Sequence, residues 1–236
     1  MKKINILNWF YIITLTALVI ITTIKIYNFH GSSRYYYSSS VTAPYAYPVY
    51  VQDIYFILEG DEQGQINHEQ VNGHAYHWGD ADVDGSTTQE RLPKALVLKY
   101  ASYRENAFYN DTIALPSKVI AAVFERAGQR NIYKTLSAES GRDVQGLMFL
   151  IGIANKGQIV VWLQGNKFEQ KLLTYKLHSW QPKEEMDYDH QFYFADTYMK
   201  AFDENLPDSC KKLIASGLDK NANYADSSTR YLQFGN

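Results

Sequence analysis

The chain is poor in cysteine, and this scarcity excludes several classes of protein. Cys210 is the one cysteine among 236 residues, so the sequence allows neither an intrachain disulfide framework nor a CxxC metal or redox site. Because no cysteine directly follows the N-terminal apolar segment, a lipid anchor attached at that point is excluded as well. Cys210 itself lies near Leu206, Leu213 and Ile214, a setting typical of a small core residue rather than of a nucleophile.

An excess of positive charge is also missing. Lysine and arginine total 23 against 25 aspartate and glutamate residues, which gives a formal net charge of −2. A general nucleic-acid binder would carry a basic patch or stripe, so we expect no nucleic-acid partner. The sequence also contains no Gly-x-Ser-x-Gly motif and no glycine-rich phosphate loop, the patterns of a hydrolase nucleophile and a nucleotide site. We therefore assign no catalytic residues and expect a protein that is not an enzyme.

A long apolar run stands near the start of the chain. Residues 4–24 carry no charge and follow Lys2 and Lys3. As a helix this run would be about 30 Å long, which matches the hydrocarbon core of a bilayer. We predict a signal anchor or transmembrane helix over residues 1–27, which contacts the membrane through residues 4–24. A cleaved signal peptide is the alternative, although the residues that follow the run lack the small side chains of a peptidase site.

Charge also predicts the orientation of this helix. Lys2 and Lys3 favour an N-terminus in the cytoplasm, so we place the rest of the chain outside the cytoplasmic membrane. Without the three lysines of residues 1–27, the exported part has 20 basic against 25 acidic residues, a net charge of −5. We do not expect an exported part with this net charge to be attracted to anionic lipid by its overall charge.

Composition divides the remaining chain into three parts. Residues 28–48 are rich in serine, tyrosine and proline, and we interpret them as a linker between the membrane and a domain. Residues 49–220 are predicted to form an α+β extracytoplasmic domain. Residues 221–236 are predicted to be a polar tail.

Strand patterns dominate the first half of the domain. Residues 49–58 and 95–103 are rich in β-branched and aromatic side chains, which favour strands. In the second segment Leu96, Leu98 and Tyr100 alternate with more polar neighbours, which predicts one buried face. Asn110-Asp111 is predicted to be a turn.

One helix and one hairpin follow. Pro116 is expected to open a helix over residues 117–127, which Gly128 would end. Two apolar runs, residues 147–153 and 158–163, are separated by a short segment that ends in Gly157, a spacing that predicts a β-hairpin.

The composition becomes acidic after Pro182. Residues 183–209 hold eight acidic and two basic residues, and helical spacing fits residues 194–206 and 209–218. A solvated helical face is one interpretation, and a docking surface for a basic protein partner is the other. The predicted fold class is therefore α+β: an antiparallel β-sheet domain with one central helix and a helical C-terminal section, preceded by the transmembrane helix.

Two segments carry a family resemblance. Residues 92–102 read LPKALVLKYAS, and residues 151–165 read IGIANKGQIVVWLQG. Over about residues 50–180, their order and spacing resemble the domain-of-unknown-function 2931 (DUF2931) family of bacterial envelope proteins, many of which are lipoproteins. Tyr100 departs from the tryptophan expected at its position, and the lipid-attachment cysteine is missing. The resemblance implies a location in the bacterial envelope, and it assigns no catalytic residues. Together with the predicted anchor and its orientation, it leads us to expect a single-pass protein of the bacterial inner membrane with its domain in the periplasm.

The strongest local motif is an acidic turn. Asp80, Asp82 and Asp84 are followed by Gly85, which resembles the opening of a calcium loop, where three carboxylates converge on one hard cation. Position 12 of such a loop should be a glutamate but is Arg91. We expect no cofactor other than weakly bound calcium at the three aspartates, and a solvated acidic turn is the alternative.

A second metal hypothesis involves histidines. His68, His74, His77 and Asp80 lie within 13 residues, and two imidazoles with a carboxylate are ligands that zinc accepts. The spacing alone does not place these groups on one side of a strand or loop, and no helical HExxH motif accompanies them.

Three functional hypotheses remain open. The first is a non-catalytic, membrane-anchored binding or interaction protein, in its specific form an immunity protein against a toxin delivered to the periplasm. The second is a structural component of the cell envelope. The third is a cryptic metal-dependent hydrolase that uses residues 68–84.

Overall fold

The computed structural model describes residues 5–28, 33–74, 78–80, 86–180 and 206–226. It contains two compact units, Met1–Ser33 and Arg34–Asn236. The helices are α1 (Ile6–Asn28), α2 (Glu69–Asn72), α3 (Ser117–Arg130) and α4 (Asp208–Ala215). The strands are β1 (Tyr35–Thr42), β2 (Val49–Leu58), β3 (Gln63–Gln65), β4 (Gln89–Glu90), β5 (Pro93–Ser102), β6 (Ala107–Ala114), β7 (Lys134–Ser137), β8 (Asp143–Ile153), β9 (Gln158–Gly165), β10 (Phe168–Lys176) and β11 (Ser179–Trp180).

Helix α1 confirms the predicted apolar helix at the N-terminus. Its segment Leu7–Lys25 is long and apolar enough to cross a membrane, a test that signal sequences also pass. The hydroxyls of Thr14, Thr16 and Thr23 donate to carbonyls four residues earlier, at 2.8–3.0 Å. These bonds satisfy the polar groups within the helix itself, as an apolar environment requires.

The second unit is an α+β domain built on two sheets. The first sheet has the order β10–β9–β8–β1–β4, with β7 also paired to β8, and the second has the order β11–β6–β5–β2–β3. The second sheet is antiparallel throughout. The first is mixed because β1 runs parallel to β8. The predicted α+β class is confirmed, but the predicted single antiparallel sheet is replaced by two sheets, one of them mixed.

The inner faces of the two sheets bury one shared core. Phe56 of β2 lies 5.1 Å from Phe149 of β8 between ring centroids, and Tyr37 of β1 lies 5.2 Å from Phe149. These edge-to-face contacts add to the burial of apolar area that holds the layers together. Helix α3 joins the same core through Phe124, whose ring centroid is 4.8 Å from that of Tyr35.

Strand β1 corrects the predicted linker. The composition of residues 28–48 predicts a spacer, yet Tyr37–Thr42 pairs with Leu147–Gly152 at six consecutive positions inside the first sheet. Tyr37 and Val41 are buried in the shared core. Serine gives this segment the composition of a linker, but tyrosine and valine suit a pleated surface once a neighbouring strand is present.

Several local predictions agree with the structure. Helix α3 buries Ile120, Val123, Phe124 and Ala127, and β8 and β9 form the predicted hairpin. The helix continues past Gly128 and ends at Arg130, and the next residue, Asn131, adopts a left-handed φ of 52°. Gly128 has a different role: a Cβ there would lie 3.1 Å from the Tyr133 hydroxyl, which donates to the Phe124 carbonyl at 2.7 Å.

The Asn110-Asp111 turn prediction is wrong. Strand β6 runs through both residues and pairs with β5 along its whole length. The chain reverses instead between β5 and β6, where Asn106 has a φ of 49°. Asparagine tolerates that conformation because its short polar side chain bonds locally.

The predicted polar tail is also shorter than expected. Ala225 is buried against Trp162 and Trp78, and its carbonyl accepts a hydrogen bond from Lys171 at 3.0 Å. Residues 221–226 therefore belong to the folded domain. Residues 227–236 lie outside the described part of the chain.

Candidate functional site

The calcium motif is only partly covered by the structure. Asp80 is half-buried, while Asp82 and Asp84 lie outside the described residues. The calcium site therefore stays a prediction.

The histidines of the zinc hypothesis lie in different surroundings. His68 lines an open cleft and places Nδ1 3.2 Å from the Ile66 carbonyl. The His74 ring packs edge-on against Tyr103 at 5.5 Å. Within the described ranges, no three histidine, cysteine, aspartate or glutamate side chains form a group that could hold a metal ion. His77 lies outside those ranges.

The acidic C-terminal stretch is mostly outside the described residues, which include only the last residue of the predicted helix 194–206. Leu206 leads into α4, where Cys210 is fully buried beside Tyr103, Phe108 and Leu206. The prediction that Cys210 is a core residue is confirmed. The docking role of residues 183–209 stays a prediction.

The open cleft beside His68 is the candidate functional site, which we call the polar cleft. It has a volume of about 630 Å³, within the range of small-molecule sites in proteins. Its described lining residues are Tyr37, Ser38, Ser39, Gln63, Gln65, Ile66, Asn67, His68, Glu69, Ser86, Thr87, Thr88, Glu90 and Glu139. The set contains hydroxyl, amide, imidazole and carboxylate groups, and among these described residues there is no lysine or arginine.

Strand β1 provides one wall of the polar cleft. The edge of β1 that faces away from β8 carries a ladder to β4 over Tyr35 and Tyr36 and then a single parallel bridge from Ser40 to Asn67. The Ser39 hydroxyl donates to the Gln65 carbonyl at 3.0 Å. These contacts fix β1 beside the segment 63–69, so the cleft forms where the two sheets meet.

Thr87 fixes the wall of the polar cleft that faces β1. Its amide donates to the Ser137 carbonyl at 2.8 Å, and its carbonyl accepts from the Glu139 amide at 3.2 Å. Its hydroxyl donates to the Tyr37 carbonyl. One threonine therefore connects β1 to the segment that presents Glu139.

The charge of the polar cleft comes from carboxylates. The Tyr37 hydroxyl donates to Glu90 at 2.8 Å and to the Arg91 carbonyl at 3.0 Å. Burial, followed by the charge of Glu90, raises the pKa of Tyr37 well above its ordinary value, so this hydroxyl stays a donor at every physiological pH. Glu69 and Glu139 are exposed at the rim. The arrangement favours a ligand that is cationic or rich in hydrogen-bond donors.

Sequence reasoning missed the polar cleft because its walls come from four separate segments. Ser38 and Ser39 lie in the predicted linker, and Gln63, Gln65 and Glu139 belong to no motif. The available signal was the combination of three tyrosines with Val41 and Thr42 over residues 35–42, because aromatic and β-branched side chains favour strands.

Comparisons with known proteins identify a family. The model of a family described as "Protein of unknown function (DUF2931)" matches residues 25–217. The match confirms the resemblance and extends it beyond residues 50–180 to include β1 and α4. No curated protein and no solved structure matches the chain significantly.

Proposed function

Since the chain belongs to the DUF2931 family of proteins of unknown function, and its domain carries an open acidic cleft, we propose that it is a membrane-anchored binding protein without catalysis of its own. In this proposal α1 is an uncleaved anchor in the bacterial inner membrane, and the domain lies in the periplasm. The polar cleft binds a basic segment of a partner protein. The observation that supports this proposal is the composition of that cleft, whose described lining residues include three glutamates and no lysine or arginine.

The charge of the polar cleft supports a cationic partner. Glu69, Glu90 and Glu139 contribute three carboxylates, and the described lining residues include no basic side chain other than His68. Carboxylates gathered in a cleft repel one another and attract positive charge. A lysine or arginine side chain entering the cleft would offset that repulsion and form charge-assisted hydrogen bonds.

An immunity protein against a periplasm-delivered toxin is the specific form of this proposal. A small, anchored protein with an acidic binding face suits that work, because electrostatic complementarity accelerates encounter with a basic toxin and excludes other partners. A toxin gene adjacent to the gene of this protein would support this form.

Site-specific photo-crosslinking in living cells tests the proposal. A benzophenone amino acid at Thr88, an exposed residue of the polar cleft, should give a discrete protein adduct. The same probe at Val119, which is 43% exposed on α3, is the matched control and should not give that adduct.

Charge variants then connect the adduct to the carboxylates. The pair Glu69→Gln and Glu139→Gln should reduce the Thr88 adduct at least fivefold, while the control pair Asp53→Asn and Glu125→Gln, exposed residues outside the cleft, should leave it unchanged. Equal reduction by both pairs, or the same adduct from Val119, would contradict the proposal.

A further inference from the structure

A second cleft is lined mainly by basic side chains, in contrast to the carboxylates of the polar cleft. It lies between the β5–β6 turn, the β8–β9 turn and the chain after α4. We call it the basic cleft. Its volume is about 610 Å³, and its described lining residues are Tyr47, Arg104, Glu105, Ala107, Tyr109, Lys156, Lys176, Leu177, His178, Ser179 and Lys220. Three lysines, one arginine and one glutamate give this lining a formal charge of +3, although residues 28–236 as a whole have a net charge of −5.

The four cations come from distant parts of the sequence, so no local motif explains their convergence. The Asn155 side-chain amide donates to the Ala222 carbonyl at 3.0 Å, which ties the chain around Lys220 to the turn that carries Lys156. Lys156 itself adopts a left-handed φ of 59°. The Lys176 ammonium donates to the Lys156 carbonyl, and Lys156, Lys176 and Lys220 all line the cleft.

Arg104 is oriented by neutral groups. Its guanidinium donates to the Ala46 carbonyl at 3.1 Å and to the Leu218 carbonyl at 2.6 Å. It also lies 4.5 Å from the ring centroid of Tyr47, a cation–π contact. Two carbonyls and a ring fix the position of the group, and none of them carries a formal charge that would cancel its own.

The one carboxylate in the described lining is already engaged. Glu105 accepts a hydrogen bond from the Lys156 amide and another from the Tyr109 hydroxyl at 3.2 Å. Within the residues that the structure describes, none of the four cations lies within 4.0 Å of a carboxylate oxygen. Bringing like charges together without a neighbouring negative charge costs free energy. An anion bound in the cleft would offset that cost.

We propose that the basic cleft is a binding site for a phosphate-bearing ligand. A phosphate monoester carries a charge of about −1.5 to −2 at neutral pH, which matches a lining of +3 better than a single carboxylate does. The cleft is larger than a phosphate group and leaves room for the organic part of the ligand, beside the largely buried side chains of Tyr47, Tyr109 and Leu177. The ligand is either a soluble phosphate ester or the headgroup of an anionic lipid. This site is independent of the polar cleft and of its proposed partner.

Thermal unfolding of the full chain in neutral phosphatidylcholine nanodiscs tests the site, with inorganic pyrophosphate as the probe. We expect saturable stabilisation at millimolar pyrophosphate or below. Sodium chloride at equal ionic strength should not reproduce it, and reproduction by the salt would overturn the proposal, as would the absence of any shift.

Matched variants assign the effect to the cleft. The exposed pair Lys156→Gln and Lys220→Gln should weaken pyrophosphate binding at least tenfold. Without pyrophosphate these variants should be as stable as the wild type or more stable, because repulsion is relieved. The control pair Lys118→Gln and Lys212→Gln, exposed lysines that line neither cleft, should bind as the wild type does. Equal weakening in the control pair would overturn the proposal.

If the double variant does not fold, Lys176→Gln alone provides the same test. Nanodiscs that contain phosphatidylglycerol distinguish the two sources of phosphate, and the control is a charge-matched disc whose anionic lipid carries only carboxylates. If the natural ligand is a lipid headgroup, phosphatidylglycerol should weaken pyrophosphate binding to the wild type more than the carboxylate lipid does. If the ligand is soluble, both kinds of anionic disc should give the same affinity.

Discussion

Gly157 meets two separate requirements at one residue. Its φ of +71° lies in the left-handed region, and a Cβ at this position would be 2.5 Å from Cε1 of Tyr109. Gly141 has a similar φ of +75°, but a Cβ added there would meet no atom of the described residues within 4 Å. We expect Gly141→Ala to lower the free energy of unfolding by about 1 kcal/mol through backbone strain alone. Gly157→Ala should cost about 2–4 kcal/mol because crowding is added.

Equilibrium unfolding of the full chain in detergent micelles, followed by tryptophan fluorescence, measures both values. Equal losses in the two variants would show that Tyr109 does not restrict position 157.

His74 makes the stability of the domain depend on pH. Burial lowers the pKa of His74 below its ordinary value of 6.5, so the folded state resists protonation of this ring. The unfolded chain accepts that proton near its ordinary pKa. Below about pH 6.5 the unfolded state therefore binds more protons, and the stability falls as the pH falls.

Thermal unfolding between about pH 7.5 and 5.5 checks this linkage. His74→Phe, which keeps an aromatic ring beside Tyr103, should show a smaller drop in Tm than the wild type. His178→Gln, at an exposed position, should keep the full drop. An unchanged pH dependence in His74→Phe would remove His74 as the cause.

At the scale of elements, the sequence patterns predicted the helices and strands that depend on neighbouring residues and missed the strand that depends on a distant partner. The α3 face, the alternation in β5 and the β8–β9 hairpin follow from neighbouring residues, and all three are present. Strand β1 was missed because its partner lies 110 positions along the chain, as the pair Tyr37–Leu147 shows. The polar cleft was missed for the same reason, since its groups converge only after the two sheets have formed.

The correction to β1 makes a direct prediction about domain boundaries. Residues 34–236 should give a soluble, cooperatively folded protein, whereas residues 49–236 should not fold, because removal of β1 exposes the edge of β8 and leaves Phe149 without Tyr37. Near-ultraviolet circular dichroism and thermal melting distinguish the two. Within 34–236, the pair Tyr37→Ser and Val41→Ser should cost several kcal/mol, about the loss seen for large-to-small core changes. Tyr36→Ser, outside that core, should cost much less. Normal folding of 49–236 would restore the linker interpretation.

At the scale of the molecule, the near-neutral net charge of the chain conceals a separation of positive and negative charge. The basic start of the chain offsets residues 28–236, whose net charge is −5. Within that part, carboxylates gather in the polar cleft and cations gather in the basic cleft. The net charge argues against general attraction to nucleic acid or anionic lipid, but it carries no information about either cleft. Local convergence of side chains, not the overall composition, therefore sets the charge of each cleft.

The orientation of the whole chain can be tested with cysteine labelling, because the native chain provides a nearly silent background. Cys210 is fully buried, so the wild type should react poorly with a membrane-impermeant maleimide. In bacterial spheroplasts, Lys118→Cys, on an exposed position of α3, should be labelled without lysis, while Lys3→Cys should be labelled only after lysis. The reverse pattern would invert the proposed topology.

If the N-terminal segment is cleaved, Lys3→Cys should lose its label even after lysis, and the mature protein should be released with the periplasmic fraction. Labelling of Lys3→Cys in the membrane fraction, and only after lysis, would therefore establish both the anchor and its direction.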